Sequence, residues 1–236
     1  MNITKESIQL LFGNLKRLGF MFSHQCKKAV ILAPHPDDET IGCGGIISKY
    51  NSDDMDITSV LFTYKEEDPR GEEFVSAMGT LNCKYKFLEL EDGKLEEQKE
   101  LIKAIIQHLI DELSPDIIFT PYLLDMNSDH IAVSRSLSEI SYSKRTLIAM
   151  YEVWTPILYP NYYIDISEHY NMKSMAMQCY ESQEKLYHLL EKTCYLNRFR
   201  AELLMRKNVT HMETFKVFDS FQFREVVDSL KKVKLL

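Results

Sequence analysis

The chain lacks a cysteine framework. Its 236 residues hold five cysteines (Cys26, Cys43, Cys83, Cys179 and Cys194), an odd number with no Cys-x-x-Cys pair. That excludes a small disulfide-stapled secreted scaffold, and reduced thiols in a cytoplasm are the plain reading. Long hydrophobic runs are also missing. No apolar stretch approaches the roughly 18 residues that suggest a membrane span. Lys5, Glu6, Lys16 and Arg17 interrupt the apolar pattern of the N-terminus, so it does not read as a signal peptide. Basic charge is in deficit: 28 Lys and Arg against 35 Asp and Glu give a net charge of -7. A nucleic-acid partner needs a basic stripe, so that class is excluded, although a local anion pocket is not. Repeats, low-complexity tracts and Pro/Gly-rich linkers are absent. The expectation is one domain over residues 1–236, with 1–25 as an N-terminal helical extension.

Apolar residues make up 45% of the chain, enough for one sizeable core. In residues 3–22, Ile8, Leu11, Phe12, Leu15 and Leu18 recur at helical spacing, predicting a helix that packs on the domain or on a second subunit. A homo-oligomer is therefore left open. Ala29 to Ala33 is a continuous apolar run ending at Pro34, as in a buried parallel strand. Gly42, Gly44 and Gly45 then read as a loop entering a helix. Further strands are expected at 57–63, 85–90, 117–120, 146–151 and 162–166. Helices are expected at 70–82, 95–113, from about His130, after a Ser167 cap, and as one long element over 181–206. Strands alternating with helices predict an α/β fold: a doubly wound, Rossmann-like, mainly parallel sheet with helices on both faces.

In such a sheet, ligands bind beyond the carboxyl ends of the strands. Two polar segments fall there: His35-Pro36-Asp37-Asp38-Glu39 after the first strand, and Asp125 to His130 after the strand at 117–120. Adjacent carboxylates repel unless a cation or proton is shared. One of Asp37 and Asp38 can ligate a metal while its neighbour holds a water's proton. With His35 and His130, the donor set becomes two imidazoles and one carboxylate, which suits catalytic zinc. The same acidic run also suits an ordinary first helical turn, favoured by the helix dipole.

These residues resemble the LmbE-like, or PIG-L, family of zinc-dependent N-acetylglucosamine deacetylases. Ala33-Pro34-His35-Pro36-Asp37-Asp38-Glu39 is similar to that family's signature. The resemblance continues in order through Gly42 and Gly44-Gly45, Arg70 with Glu72 and Glu73, Asp92-Gly93-x-Leu95, Pro115-Asp116-Ile117-Ile118 and Asp129-His130. It implies that His35, Asp38 and His130 hold one zinc ion, that Asp37 is the general base, and that Arg70 contacts substrate. Asp129 would support a ligand from behind. The implied substrate is a small N-acetylated sugar or glycoconjugate, handled in the cytoplasm by a protein without an integral membrane part.

One departure stands out. The family pattern has His-Pro-Asp-His where this chain has Asn127-Ser128-Asp129-His130. Asn127 is placed at the substrate, since an amide can donate to an oxyanion but cannot deliver a proton. That substitution supports a rival: a metal-holding pseudoenzyme or sugar-binding protein of the same fold. A magnesium-dependent phosphoryl-transfer domain fits the carboxylates but not the two histidines, because magnesium prefers oxygen ligands. His169, His211 and Trp154 read as structural or packing residues.

Overall fold

The computed structural model describes residues 26–51, 55–65 and 67–236; the helix expected over 3–22 lies outside them. Strand β1 (Lys28–Ala33) leads through a short turn into helix α1 (Asp38–Asn51). Then follow β2 (Asp56–Thr63), α2 (Pro69–Thr80), β3 (Lys84–Leu90), α3 (Lys99–Leu113), β4 (Ile117–Pro121) and α4 (Ser128–Ser136). The second half contains β5 (Leu147–Tyr151), β6 (Tyr162–Asp165), α5 (Tyr170–Gln178), α6 (Glu181–Tyr187), α7 (Leu189–Glu202), β7 (Met212–Asp219) and α8 (Ser220–Lys232).

The seven strands form one sheet in the order β3-β2-β1-β4-β5-β7-β6. The first five are parallel; β7 runs antiparallel between β5 and β6. β1 explains its own continuous apolar run. Ala29, Ile31 and Ala33 enter the core on one face, while Val30 and Leu32 enter the core on the other. A strand covered on both faces needs apolar side chains at every position. Each fully buried Ile or Leu contributes about 1.5–3 kcal/mol of transfer free energy. The strand order reverses between β1 and β4, which opens a crevice beyond their carboxyl ends. Among the described residues, no helix is long and apolar enough to cross a membrane.

Several local expectations are corrected. The glycines at 42, 44 and 45 lie inside α1, not in a loop before it. They are needed for close approach: a Cβ on Gly42 would sit 2.2 Å from the Tyr151 ring, and one on Gly45 would sit 2.7 Å from Ile166. The element expected over 181–206 is two helices. His188 adopts a left-handed conformation (φ 51°, ψ 48°) and separates α6 from α7. Ser167 does not cap α5; its hydroxyl instead bonds Asp165 and accepts from Thr210 N. β7 and α8 were not expected. β7 is buried throughout yet carries Glu213, Thr214 and Lys216, which hides a core strand behind polar residues. The Glu213 carboxylate accepts from the Gly45 and Ile46 backbone N–H groups and from Lys173 Nζ (2.8, 2.9 and 2.6 Å), so its burial is satisfied. The start of α8 did carry a signal, the Asp219–Gln222 capping box.

Candidate metal centre and active-site cleft

The turn between β1 and α1 is unusually tight for residues with side chains. Asp37 sits at φ 108°, in the region that favours glycine. The Asp37 carbonyl accepts from Thr40 N and Ile41 N at 3.0 and 2.8 Å, which fixes the start of α1. The Asp38 carboxylate folds back to accept from His35 N at 2.8 Å. On the neighbouring strand, Thr63 clamps the Pro34 carbonyl through its backbone N–H and hydroxyl, at 3.0 and 2.7 Å. The backbone thereby holds His35 and Asp38 on one side of the turn. Such strained residues cluster at functional sites.

The second segment approaches from β4. Asn127 caps α4, its side-chain oxygen accepting from Asp129 N at 2.8 Å. This places Asp129 and His130 in the first turn, with both side chains buried. Three donor atoms then converge. His35 Nδ1 lies 3.2 Å from Asp38 Oδ2 and 3.2 Å from His130 Nε2, and His130 Nε2 lies 3.1 Å from Asp38 Oδ2. Ligands about 2.0–2.1 Å from a tetrahedral zinc are separated by about 3.3–3.4 Å, so this triangle fits such an ion closely. The chemistry of the set agrees: two imidazole nitrogens and a carboxylate oxygen facing one point require a cation or shared protons between them.

Each histidine is backed by a carboxylate. His35 Nε2 lies 3.2 Å from Asp129 Oδ2 and 3.2 Å from Asp92 Oδ1. Asp129 also accepts from Gly93 N and Leu95 N at 2.8 and 3.1 Å, which pins the 92–95 turn against α4. His130 Nδ1 faces Asp125 Oδ1 at 3.6 Å. Carboxylates behind metal-binding histidines fix ring orientation and raise basicity. Asp92 and Asp125 were not singled out as site residues from sequence. Both sat in segments already marked, the Asp-Gly-x-Leu turn and the start of the second ligand stretch.

The electrostatics follow from this crowding. Burial pulls the His130 pKa down, but the Asp38 carboxylate outweighs it and pushes the ring up to about 9. His35 is raised well above its ordinary value: burial opposes this, but hydrogen bonds to Asp129, Asp38 and Asp92 prevail. Asp38 is lowered despite burial, because His130 and His35 face it. Asp37 goes the other way. Burial first, and then the Asp38 and Glu39 charges, raise it well above the usual carboxylate range. Neighbouring carboxylates pushed in opposite directions are a mark of divided roles. Glu39 is buried with its side chain on the Thr40 and Tyr180 hydroxyls, and burial raises its pKa to about 7. It serves the packing of α1.

A cleft of about 270 Å³ opens beside the turn, lined by Pro36, Thr63, Tyr64, Lys65, Arg70 and Asp92 among others. The Arg70 guanidinium is shared between Asp68, the N-cap of α2, and Asp92, 3.1 Å away. The structure thus brings His35, Asp37, Asp38, Asp129 and His130 together and places Arg70 on the adjoining wall. Asn127 stands at the head of α4, its oxygen committed to the cap and its amide NH₂ free of any hydrogen bond among the described residues. His169 bonds Ser48 and His211 stacks on Tyr170, so neither joins the triangle. Trp154 packs edge-on to Tyr187.

Residues 30–141 match the PIG-L family, described as GlcNAc-PI de-N-acetylase. That stretch contains both ligand segments, the cleft and the supporting carboxylates. Residues 30–141 belong to the PIG-L family. The PIG-L region runs from β1 through α4, and β5 to α8 extend the sheet beyond it. The chain is 27% identical over 135 residues to a probable N-acetyl-α-D-glucosaminyl L-malate deacetylase 2 of Bacillus subtilis, covering 49% of this chain and 61% of that protein. It is 26% identical over 145 residues to a diacetylchitobiose deacetylase of Thermococcus kodakarensis, covering 60% and 48% respectively. The matched stretches thus span about half to three fifths of these relatives. In fold, it superposes on the N,N'-diacetylchitobiose deacetylase of Pyrococcus horikoshii with a TM-score of 0.71 at 21% identity, covering 94% of this chain and 95% of that one. Likeness at that identity shows the α/β architecture; chemistry must be argued from the site.

Proposed function

We propose that this protein is a zinc-dependent N-deacetylase that hydrolyses the acetamide of an N-acetylglucosamine-type sugar or conjugate. The observation that carries the reading is the buried His35–Asp38–His130 triangle with Asp37 beside it, at the point where the strand order reverses. The similar proteins of Bacillus subtilis and Thermococcus kodakarensis, a probable and a named deacetylase of N-acetylated sugars, support it. A single divalent ion held by these three residues would polarise the acetyl carbonyl and lower the pKa of water to about 7.

The chain's own residues supply the rest. Asp37 accepts a proton from the attacking water, whose oxygen bonds to the acetyl carbon. The C–N bond then breaks, and Asp37 returns the proton to the departing amine nitrogen, giving acetate and a free amino sugar. Burial and the neighbouring Asp38 and Glu39 charges favour a proton on Asp37, as suits a group that must both take and give one. Asp129 and Asp125 hold the two imidazoles in orientation. Arg70 and Asp92 offer a donor and an acceptor to sugar hydroxyls along the cleft. The Asn127 amide is available as a donor to the developing oxyanion, a contact whose loss costs about 3 kcal/mol in enzymes that rely on it.

The test is acetate release from a panel of N-acetylglucosaminides, including the malate conjugate and diacetylchitobiose, with and without a zinc chelator. Release that the chelator abolishes, and that Asp37→Asn removes while metal content stays intact, is the expected result. Release undiminished in Asp37→Asn would remove the base assignment. Asn127 favours a second reading, a binding protein with the metal site kept and catalysis lost, because its oxygen is held by the helix cap and it carries no transferable proton. Bound metal without acetate release from any substrate would support that reading.

A further inference from the structure

A second cavity lies on the opposite side of the sheet's centre from the Arg70 cleft, between β5, β7 and α8. It holds about 160 Å³ and is walled by Leu124, Met150, Ile157, Phe218, Val226 and Leu230. Leu158 and Leu235 also line it, both largely exposed (70% and 60%), and so give it an apolar rim. Lys216 alone among its lining residues carries a charge, and it is only 5% exposed.

The other deeply buried cations of this fold are neutralised. Lys173 Nζ sits 2.6 Å from Glu213, and the Arg200 guanidinium is paired with Glu152. Lys216 has no carboxylate partner among the described residues. Its Nζ donates to the Tyr159 carbonyl at 3.0 Å and lies 5.7 Å from the centre of the Phe218 ring. An ammonium has three N–H groups, and a buried, unpaired one is unfavourable until an anion meets it. Burial lowers its pKa, which agrees with a charge left uncompensated.

We propose that this pocket binds a monocarboxylate with an apolar body of about six carbons, the carboxylate on Lys216 Nζ and the body against Met150, Phe218, Val226 and Leu230. Size sets the body: an apolar cavity of about 150 Å³ accepts benzene. Charge sets the head: one buried cation calls for one negative charge. The site is separate from the metal centre and does not depend on the deacetylase reading.

The experiment is calorimetric titration of the full chain with hexanoate, hexanol and hexylamine at neutral pH. Hexanoate should bind at least tenfold more tightly than either analogue. Lys216→Met should weaken hexanoate at least tenfold while leaving hexanol binding unchanged, and Val226→Trp, which fills the cavity, should abolish both. Melting curves establish that each variant is folded, and the comparison of the three ligands on the unaltered chain stands without any variant. Equal affinity for hexanoate and hexanol would overturn the proposal. So would the absence of hexanoate binding, including the case where another segment of the chain or a second copy fills the pocket.

Discussion

Replacing Asp125 by asparagine tests how the His130 ring is held. The Asp125 carboxylate accepts from Asn127 N at 3.0 Å through Oδ1 and from Thr155 N at 3.2 Å through Oδ2, and Oδ1 also faces His130 Nδ1 at 3.6 Å. An asparagine retains only one acceptor oxygen. Its NH₂ must therefore point either at the Asn127 N–H and the histidine or at the Thr155 N–H, so at least one donor meets a donor. One buried donor left without a partner costs about 1–3 kcal/mol of stability. Loss of the carboxylate behind a ligating imidazole typically weakens metal binding 10–100-fold, or about 1.4–2.7 kcal/mol. Competition for zinc against a chelator of known affinity reads the second quantity, and thermal unfolding of the metal-free protein reads the first. A folded Asp125→Asn variant with unchanged zinc affinity would refute the claim that Asp125 orients His130.

Gly42→Ala should destabilise the fold by about 1–3 kcal/mol in chemical denaturation, because the added methyl meets the ring of Tyr151, whose hydroxyl is itself tied to the Leu32 carbonyl at 2.7 Å. Ser114 closes α3 in the left-handed region (φ 47°), so Ser114→Gly should stabilise by up to about 1 kcal/mol, read as a higher denaturation midpoint. For Glu139, partial burial raises its pKa, but hydrogen bonds to Lys231 and Lys99 win and hold it down at about 2, against an ordinary value of 4.5. A depressed acid stabilises above its unfolded pKa and loses that contribution as pH falls through its folded one. Glu139→Gln should therefore lower the melting temperature at pH 7, and the difference from the unaltered chain should vanish as the pH is taken from 4.5 towards 2. A gap that stays constant over that range would contradict the assignment.

The parallel half of the sheet was legible because β1 and β4 put apolar side chains on both faces, β3 alternates, and one of the helices between them carries a single apolar stripe. α3 shows this in Ile102, Ile106 and Leu109, all buried. The antiparallel half was less so. β7 is a core strand in which Glu213 is satisfied by Lys173 and Thr214 by Glu152, partners far along the chain, and no local pattern reports such partners. The glycines of α1 misled for a related reason: their role is set by Tyr151 and Ile166, more than a hundred residues away. The residues of the candidate site were visible as two polar segments at strand ends. Their convergence was not, since it depends on β1 and β4 being neighbours. The supporting roles of Asp92 and Asp125 likewise emerge only when distances are known.

In the proposed mechanism, His35, Asp38 and His130 form a single divalent-metal site. Elemental analysis of the protein, equilibrated with zinc and freed of excess, measures this directly. One zinc per chain is expected, lost in His130→Ala and in Asp38→Ala, and retained in Asp37→Asn. Zinc that persists at one equivalent in folded His130→Ala and Asp38→Ala variants would contradict it.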